Sequence, residues 1–237
     1  MSTTSQTIVS HLERKEALAA ALARDSELGE RVRQLQEWQA RRLATTYEDL
    51  LAESTYSAAL RFFLTDLYGP HDFSPRNREL RRAWHSMERA LPDAALHVLC
   101  DALELELLTL QLDAALARAL PSECIETESY SVAYRAVGRG QDRNRQIVLI
   151  VGLARRLSGL MRHAWIGKML RLARGPARAA GLGSLQGFLE RGFEAFRGVS
   201  DPQTLAATIE LRERTIMRKL LNGERDPFVL DSSHAIA

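Results

Sequence analysis

Apolar residues recur every three or four positions along most of the chain, and this spacing predicts α-helices. The clearest stripe lies within Asp93–Leu120, where leucine follows leucine at intervals of about one helical turn. No segment of useful length alternates apolar and polar residues as a half-buried strand would. The pattern therefore predicts an all-α fold, built as a single globular domain of about eight to ten helices.

Prolines and capping residues mark where the predicted helices begin and end. Ser200-Asp201-Pro202 is typical of a helix start, with a capping side chain before a proline in the first turn. Gly175-Pro176 is predicted to end a helix, because proline cannot supply the next backbone donor. We expect residues 1–7 to be disordered, residues 8–228 to form the helical domain, and residues 229–237 to be a flexible tail.

A short aromatic helix is predicted at Arg61–Pro70, where the sequence reads RFFLTDLYGP. Helical spacing places five apolar side chains on one face: Leu60, Phe63, Leu64, Leu67 and Tyr68. Phe62 lies on a second face, so this helix is expected to be buried on more than one side. Gly69 is expected to be its left-handed C-cap. Asp66 is expected to be solvated or paired with one of the arginines that follow.

The segment FFLTDLYGP, with the RNREL that follows it, resembles the signature of the bacterial FFLEELY-motif proteins. Later segments are similar as well: SYSVAYRAVG at 129–138, RGPARAAGLGSLQGFLERGFEAF at 174–196 and DPF at 226–228. The resemblance covers roughly residues 30–228. This sequence has Thr65 and Asp66 where the motif has two glutamates. The resemblance implies the fold and its extent, and it implies no catalytic residue.

Charge is distributed unevenly along the chain, although the net charge is only +2. The segment Asp93–Glu128 contains eight acidic residues and one basic residue, whereas Ser131–Ala180 contains eleven basic residues and one acidic residue. The favoured interpretation is that arginines of the basic segment pair with carboxylates of the acidic segment, because the guanidinium fork suits a carboxylate. The alternatives are an acidic protein, a nucleic acid or an anionic membrane surface.

Part of the basic segment is a candidate contact surface. Arg155 and Arg162 are seven residues apart and therefore share one face of a helix. The full candidate binding surface consists of Arg155, Arg162, Lys168, Arg174 and Arg178. Residues 145–174 are amphipathic and include Trp165, which is typical of a helix at a membrane surface. The basic residues are not interleaved with aromatic residues for base stacking, which argues against nucleic acid.

The residue types that metal and nucleophilic sites require are not spaced for either chemistry. No glutamate has a histidine three residues later, as helical di-iron sites need, and the reverse order, His85 and Glu88, occurs once. Cys100 and Cys124 are too few for a zinc site, and no Gly-x-Ser-x-Gly segment is present. We therefore predict no catalytic residue and no metal ligand.

We also predict no cofactor, with haem as the less favoured alternative. An aromatic helix followed by a tyrosine-containing segment is loosely globin-like, which is an analogy of fold only. His97 is the candidate haem ligand because it lies near the apolar face of its helix. The N-terminal region lacks the apolar core of a signal peptide, and no apolar run is long enough to cross a bilayer. A cytoplasmic location is therefore expected.

Three functions remain open. The favoured one is a non-enzymatic interaction or regulatory module that binds a protein partner or a second copy of itself. The second is a sensor for a small molecule or cofactor, with a pocket near Phe62, Phe63, Tyr68 and His97. The third is an enzyme of an unrecognised class that uses Tyr68, Asp66 and a nearby arginine; no spacing required by a known mechanism supports it. Binding of nucleic acid or an anionic membrane through residues 135–178 is a further alternative to the favoured function.

Overall fold

Eleven α-helices and one π-helical turn account for most of the chain that the structure describes. The structure is a computed structural model, and it describes residues 3–69, 73–121, 124–161 and 163–230. The elements are α1 (Thr3–Arg24), α2 (Ser26–Thr46), α3 (Glu48–Ala52), α4 (Ser54–Phe62), the π-helix (Phe63–Leu67), α5 (Ser74–Ala90), α6 (Asp93–Ala119), α7 (Thr127–Val137), α8 (Gly140–Met161), α9 (Ala164–Ala179), α10 (Gly183–Arg197) and α11 (Pro202–Asn222). No strand occurs in these ranges, so the predicted all-α fold is confirmed, with slightly more helices than expected.

The longest helix, α6, lies at the centre of the fold. Its leucines project in several directions, which removes the one-sided pattern of a surface helix. Leu112 and Leu116 are fully buried, and α6 packs against α1, α2, α7 and α8. The leucine stripe that the sequence predicted for this helix, and the leucines beside it, are therefore covered by neighbours on several sides.

The C-terminal helix α11 forms hydrogen bonds with helices near the start of the chain. It packs along α8, and its charged side chains reach the first part of the chain. The buried Arg212 guanidinium donates to both carboxylate oxygens of Asp49, at 2.8 and 2.5 Å. Arg42 on α2 donates to Glu213 at 3.1 Å. These bonds fix α11 against α2 and α3.

The aromatic segment differs from the single α-helix that the sequence predicts. The α-helix ends at Phe62, and residues Phe63–Leu67 form a π-helical turn. The Tyr68 amide donates to the Phe63 carbonyl at 2.9 Å, which is an i→i−5 bond, and Tyr68 itself is extended. The wider turn rotates Tyr68 away from the register of an α-helix. Gly69 has φ 117°, and it follows an extended residue instead of capping an α-helix.

Two predicted boundaries also change. Helix α1 begins at Thr3, inside the segment expected to be disordered, and the Trp84 indole donates to the buried Ser5 hydroxyl at 3.2 Å. Helix α9 continues through Pro176 to Ala179, so Gly175-Pro176 does not end the helix as the sequence predicted. Of the predicted tail, residues 231–237 lie outside the described part.

Candidate functional site

A cavity of about 1020 Å³ lies between the helices and is partly open to solvent. Helices from both halves of the chain line it, among them α1, α5, α6, α8 and α10. Six of the seven phenylalanines of the chain contribute to the wall: Phe62, Phe63, Phe73, Phe188, Phe193 and Phe196. Leucine, isoleucine and alanine form most of the remainder. Small-molecule sites in proteins are concave, mostly apolar and of about 300–1,000 Å³, so this cavity has the size and wall of such a site.

The aromatic segment forms one wall of the cavity. The Phe62 ring lies 5.3 Å from the Phe188 ring and 6.0 Å from the Phe196 ring, measured between centroids. Gly192 allows this approach of α10 to α4, because a Cβ there would lie only 3.0 Å from the Phe62 ring. The Phe62 ring therefore packs against two rings of α10 and also contributes to the cavity wall.

The charged side chains in the wall are mainly basic. The basic ones are Lys15, Arg42, Arg76, Arg78, Arg81, Arg82 and Arg143. The acidic ones are Glu16, Glu106 and Glu213. The lining thus holds an excess of four positive charges, and three of its arginines, Arg78, Arg81 and Arg82, are exposed at the rim. Such a wall favours an anionic group on any molecule that enters the cavity.

Lys15, Arg76 and Glu106 form the most buried charged cluster of the wall. Both cations bond to the one carboxylate, Lys15 to its Oε2 and Arg76 to its Oε1 at 2.7 Å. All three side chains are at most 10% exposed. Burial lowers the pKa of Lys15 although Glu106 works in the opposite direction. Burial also works to raise the pKa of Glu106, but the two cations outweigh it and hold that pKa below its ordinary value.

The Arg76 guanidinium is held in place from several directions. It lies 4.2 Å from the centroid of the Phe188 ring and 4.8 Å from that of Phe73. It also donates to the backbone carbonyl of Asp66 at 3.0 Å. Two cations that share one carboxylate leave one positive charge formally uncompensated in a nearly buried place.

A second polar cluster surrounds Asp113, two helical turns beyond Glu106 on the same face of α6. Asp113 is fully buried, and burial raises the pKa of its carboxyl to about 6. One carboxylate oxygen accepts from Gln36 at 3.1 Å, and the other has no hydrogen-bond partner among the described atoms. The Tyr68 hydroxyl bonds to the Gln39 side-chain oxygen, and the Gln39 amide nitrogen has no described partner. Gln39 and Tyr68 both line the cavity.

The structure brings together three of the five predicted pocket residues. Phe62, Phe63 and Tyr68 line the cavity. Asp66 does not, because its carboxylate accepts from the Arg191 guanidinium at 2.7 Å. His97 is exposed on α6 and is not part of the wall, so its place in the predicted pocket is corrected. The helical spacing of apolar residues predicted His97 near the apolar face of its helix. In the structure His97 is exposed at the edge of that face.

The predicted basic surface is partly paired. Arg155 lies 3.7 Å from Glu210, and Arg174 donates to Glu190 at 2.8 Å. Lys168 and Arg178 are exposed on α9. Arg162 lies outside the described residues.

Two further pairs join the helices that carry the acidic and basic segments. Arg145 on α8 forms a two-point bond to Glu104 on α6, at 2.7 Å for both contacts. Arg156 bonds to Asp101 on the same two helices.

Four buried polar residues were missed from the sequence: Lys15, Arg76 and Glu106, which line the cavity, and Asp113, which lies near it beside Gln39. They come from α1, α5 and α6, and Lys15 is 91 residues from Glu106. One signal was present, because Glu106 and Asp113 interrupt the leucine-rich face of α6 at core positions.

Across the described residues, no three histidine, cysteine, aspartate or glutamate side chains are grouped so that they could hold a metal ion. No helix in the same ranges has the length and apolar character needed to cross a membrane. The resemblance to FFLEELY-motif proteins and the globin analogy stay predictions.

Comparison with known proteins gives a family. No curated protein and no solved structure matches the chain. A family model described as "Domain of unknown function (DUF8198)" matches residues 19–227, which include every residue that lines the cavity except Lys15 and Glu16. Since this match spans most of the chain, the protein belongs to the DUF8198 family.

Proposed function

We propose that this protein binds a small amphiphile, with an apolar body and an anionic group, in its interior cavity. The observation that carries the proposal is the wall itself, which is mostly apolar and whose charged side chains are mainly basic. Burial of the apolar body supplies affinity at about 25 cal/mol for each Å² removed from water. An anionic group near Lys15 and Arg76 would compensate the positive charge that Glu106 leaves unmatched.

The ligand-binding proposal replaces the interaction module as the favoured function. The predicted contact surface depended on free arginines, and Arg155 and Arg174 already have acidic partners. The aromatic segment, in contrast, lies in the wall of the cavity. The proposal is for a binding protein, and it assigns no reaction.

Binding can be tested with a matched pair of probes. A fluorescent long-chain fatty acid is titrated into the purified protein, together with the alcohol of the same chain. We expect the acid to bind at least about tenfold more tightly, because only the acid carries charge into the basic wall. Mass spectrometry of an organic extract of the protein gives an independent readout of a co-purified amphiphile. If neither probe binds and the extract is empty, the proposal is wrong.

A cavity-filling substitution tests whether the space is available to a ligand. Ala154 on α8 lines the cavity, whereas Ala117 on α6 is fully buried outside it. We expect Ala154→Leu to change the free energy of unfolding by less than about 1 kcal/mol and to weaken probe binding. Ala117→Leu inserts the same atoms into a packed core and is expected to cost about 1–3 kcal/mol. Equal losses of stability in the two variants, measured by urea unfolding, would contradict an open cavity at Ala154.

A further inference from the structure

Helix α9 presents an apolar stripe to solvent. Trp165, Met169 and Leu172 are 46%, 52% and 78% exposed, and their spacing of four and three residues places them on one face of the helix. The other tryptophans, Trp38 and Trp84, are half-buried and buried. A stripe of a tryptophan and two long aliphatic side chains in water indicates an interaction surface.

The stripe is not the face with which α9 packs on the protein. The packing face contains Gly167, where a Cβ would lie 2.7 Å from the Phe193 ring of α10. Arg174 on the same side bonds to Glu190 of α10. These contacts hold α9 through the face opposite the stripe, and the three stripe residues keep about half or more of their surface in water.

The charge of α9 has one sign. The helix contains Lys168, Arg171, Arg174 and Arg178 and no acidic residue. Lys168 and Arg171 precede Met169 and Leu172 by one position each, and so they lie along one flank of the stripe. Neither forms a salt bridge within the described part of the chain. Both charges therefore remain open to an external anion.

We propose that α9 docks this protein on an anionic lipid surface, with Trp165, Met169 and Leu172 at the boundary between headgroups and acyl chains. Tryptophan and aliphatic residues beside lysine and arginine are the features of helices that lie in such interfaces. A second copy of the chain is a poorer fit, because it would bring an equally basic helix against this one. Nucleic acid is also a poorer fit, because Met169 and Leu172 offer no stacking surface for bases.

The position of α9 connects this surface to the cavity. α9 packs against α8 and α10, and both helices line the cavity, with Met161 at the end of α8 and the partly exposed Leu189 on α10. An amphiphile in the bilayer would therefore enter the protein beside the docked helix. This connection depends on the proposed function, whereas the docking itself does not.

The test is co-sedimentation of the full chain with vesicles of phosphatidylcholine alone and of phosphatidylcholine with about 30% phosphatidylglycerol. We expect binding to the anionic vesicles, with a blue shift of Trp165 emission, and at least tenfold weaker binding to the neutral vesicles. Met169→Gln with Leu172→Gln, and separately Lys168→Gln with Arg171→Gln, are each expected to weaken binding about tenfold or more. All four residues are exposed, so the variants should fold.

The matched control is Leu211→Gln with Arg218→Gln on α11, where the leucine is 48% exposed and the arginine is also exposed. This variant should bind anionic vesicles as the unmodified protein does. The proposal is overturned if the unmodified protein does not bind, or if the control loses binding equally. It is also overturned if the α9 variants abolish a dimer seen by light scattering without lipid, or remove nucleic acid that co-purifies and absorbs near 260 nm. The fatty-acid titration contains no lipid vesicles, so it tests ligand binding in the cavity separately from the docking of α9. Either proposal can therefore be contradicted without the other.

Discussion

The Glu106→Gln variant is expected to lose about 3–5 kcal/mol of unfolding free energy at neutral pH. Glutamine keeps the size and an acceptor oxygen of Glu106, but it removes the only carboxylate that bonds Lys15 and Arg76 within the described structure. Two cations would then remain in a nearly buried place without a counter-charge. Chemical denaturation of the purified variant measures the loss directly.

Glu104→Gln is the matched control, because Glu104 lies two residues away on α6 and also bonds an arginine. Its partner Arg145 is half exposed, so we expect a loss of only about 0–1 kcal/mol. The loss in Glu106→Gln should shrink at high pH, because a lysine freed of its acid can give up its proton whereas an arginine cannot. Equal losses of unfolding free energy in Glu106→Gln and Glu104→Gln would contradict the prediction that the buried carboxylate contributes more to stability than the partly exposed one.

The Asp113→Asn variant is expected to be more stable than the unmodified protein at pH 7, by about 3 kcal/mol at most. The folded carboxyl has a pKa of about 6 against a reference of 3.8, and each unit corresponds to about 1.4 kcal/mol. The folded state therefore holds this proton more strongly than the unfolded state does. Stability conferred by the protonated carboxyl is complete below about pH 4 and is lost as pH rises through 6.

Asparagine cannot ionise, so the difference between Asp113→Asn and the unmodified protein should be large at pH 7 and small at pH 4. Urea unfolding at a series of pH values measures it. Arg143 opposes the effect of burial, and Gln36 bonds the carboxyl, so the gain is an upper bound. Asp142→Asn, at a half-exposed carboxylate of α8, should change stability by less than about 1 kcal/mol throughout. A pH-independent difference for Asp113→Asn would contradict the raised pKa.

The local signals in the sequence were enough for most of the fold. Helix α11 begins at Pro202 where the sequence predicted it, because the capping Asp201 and the proline act on the adjacent turn alone. The π-helical turn at Phe63–Leu67 could not be predicted in this way. An i→i−5 turn and an i→i−4 turn place apolar residues on nearly the same side over five residues, and packing decides between them.

The cavity could be predicted only in part. The aromatic pair Phe62 and Phe63 and the nearby Tyr68 stood out because large aromatic side chains cluster in few places in this chain. Lys15 and Arg76 did not stand out. A single charged residue on an amphipathic helix gives the same sequence pattern whether its side chain faces water or is paired inside the protein. Only the packing of α1 and α5 beside α6 shows that these two charges meet at Glu106.

The bonds from α11 back to α2 and α3 have a consequence for synthesis of the chain on the ribosome. Asp49 leaves the ribosome 163 residues before its partner Arg212. At about 5–20 residues per second, this interval lasts on the order of 10–30 s. Throughout that time the first helices must keep their apolar faces from aggregating without the helix that later covers them. The N-terminal third of this protein is therefore the part that most needs protection by chaperones before the last helix is made.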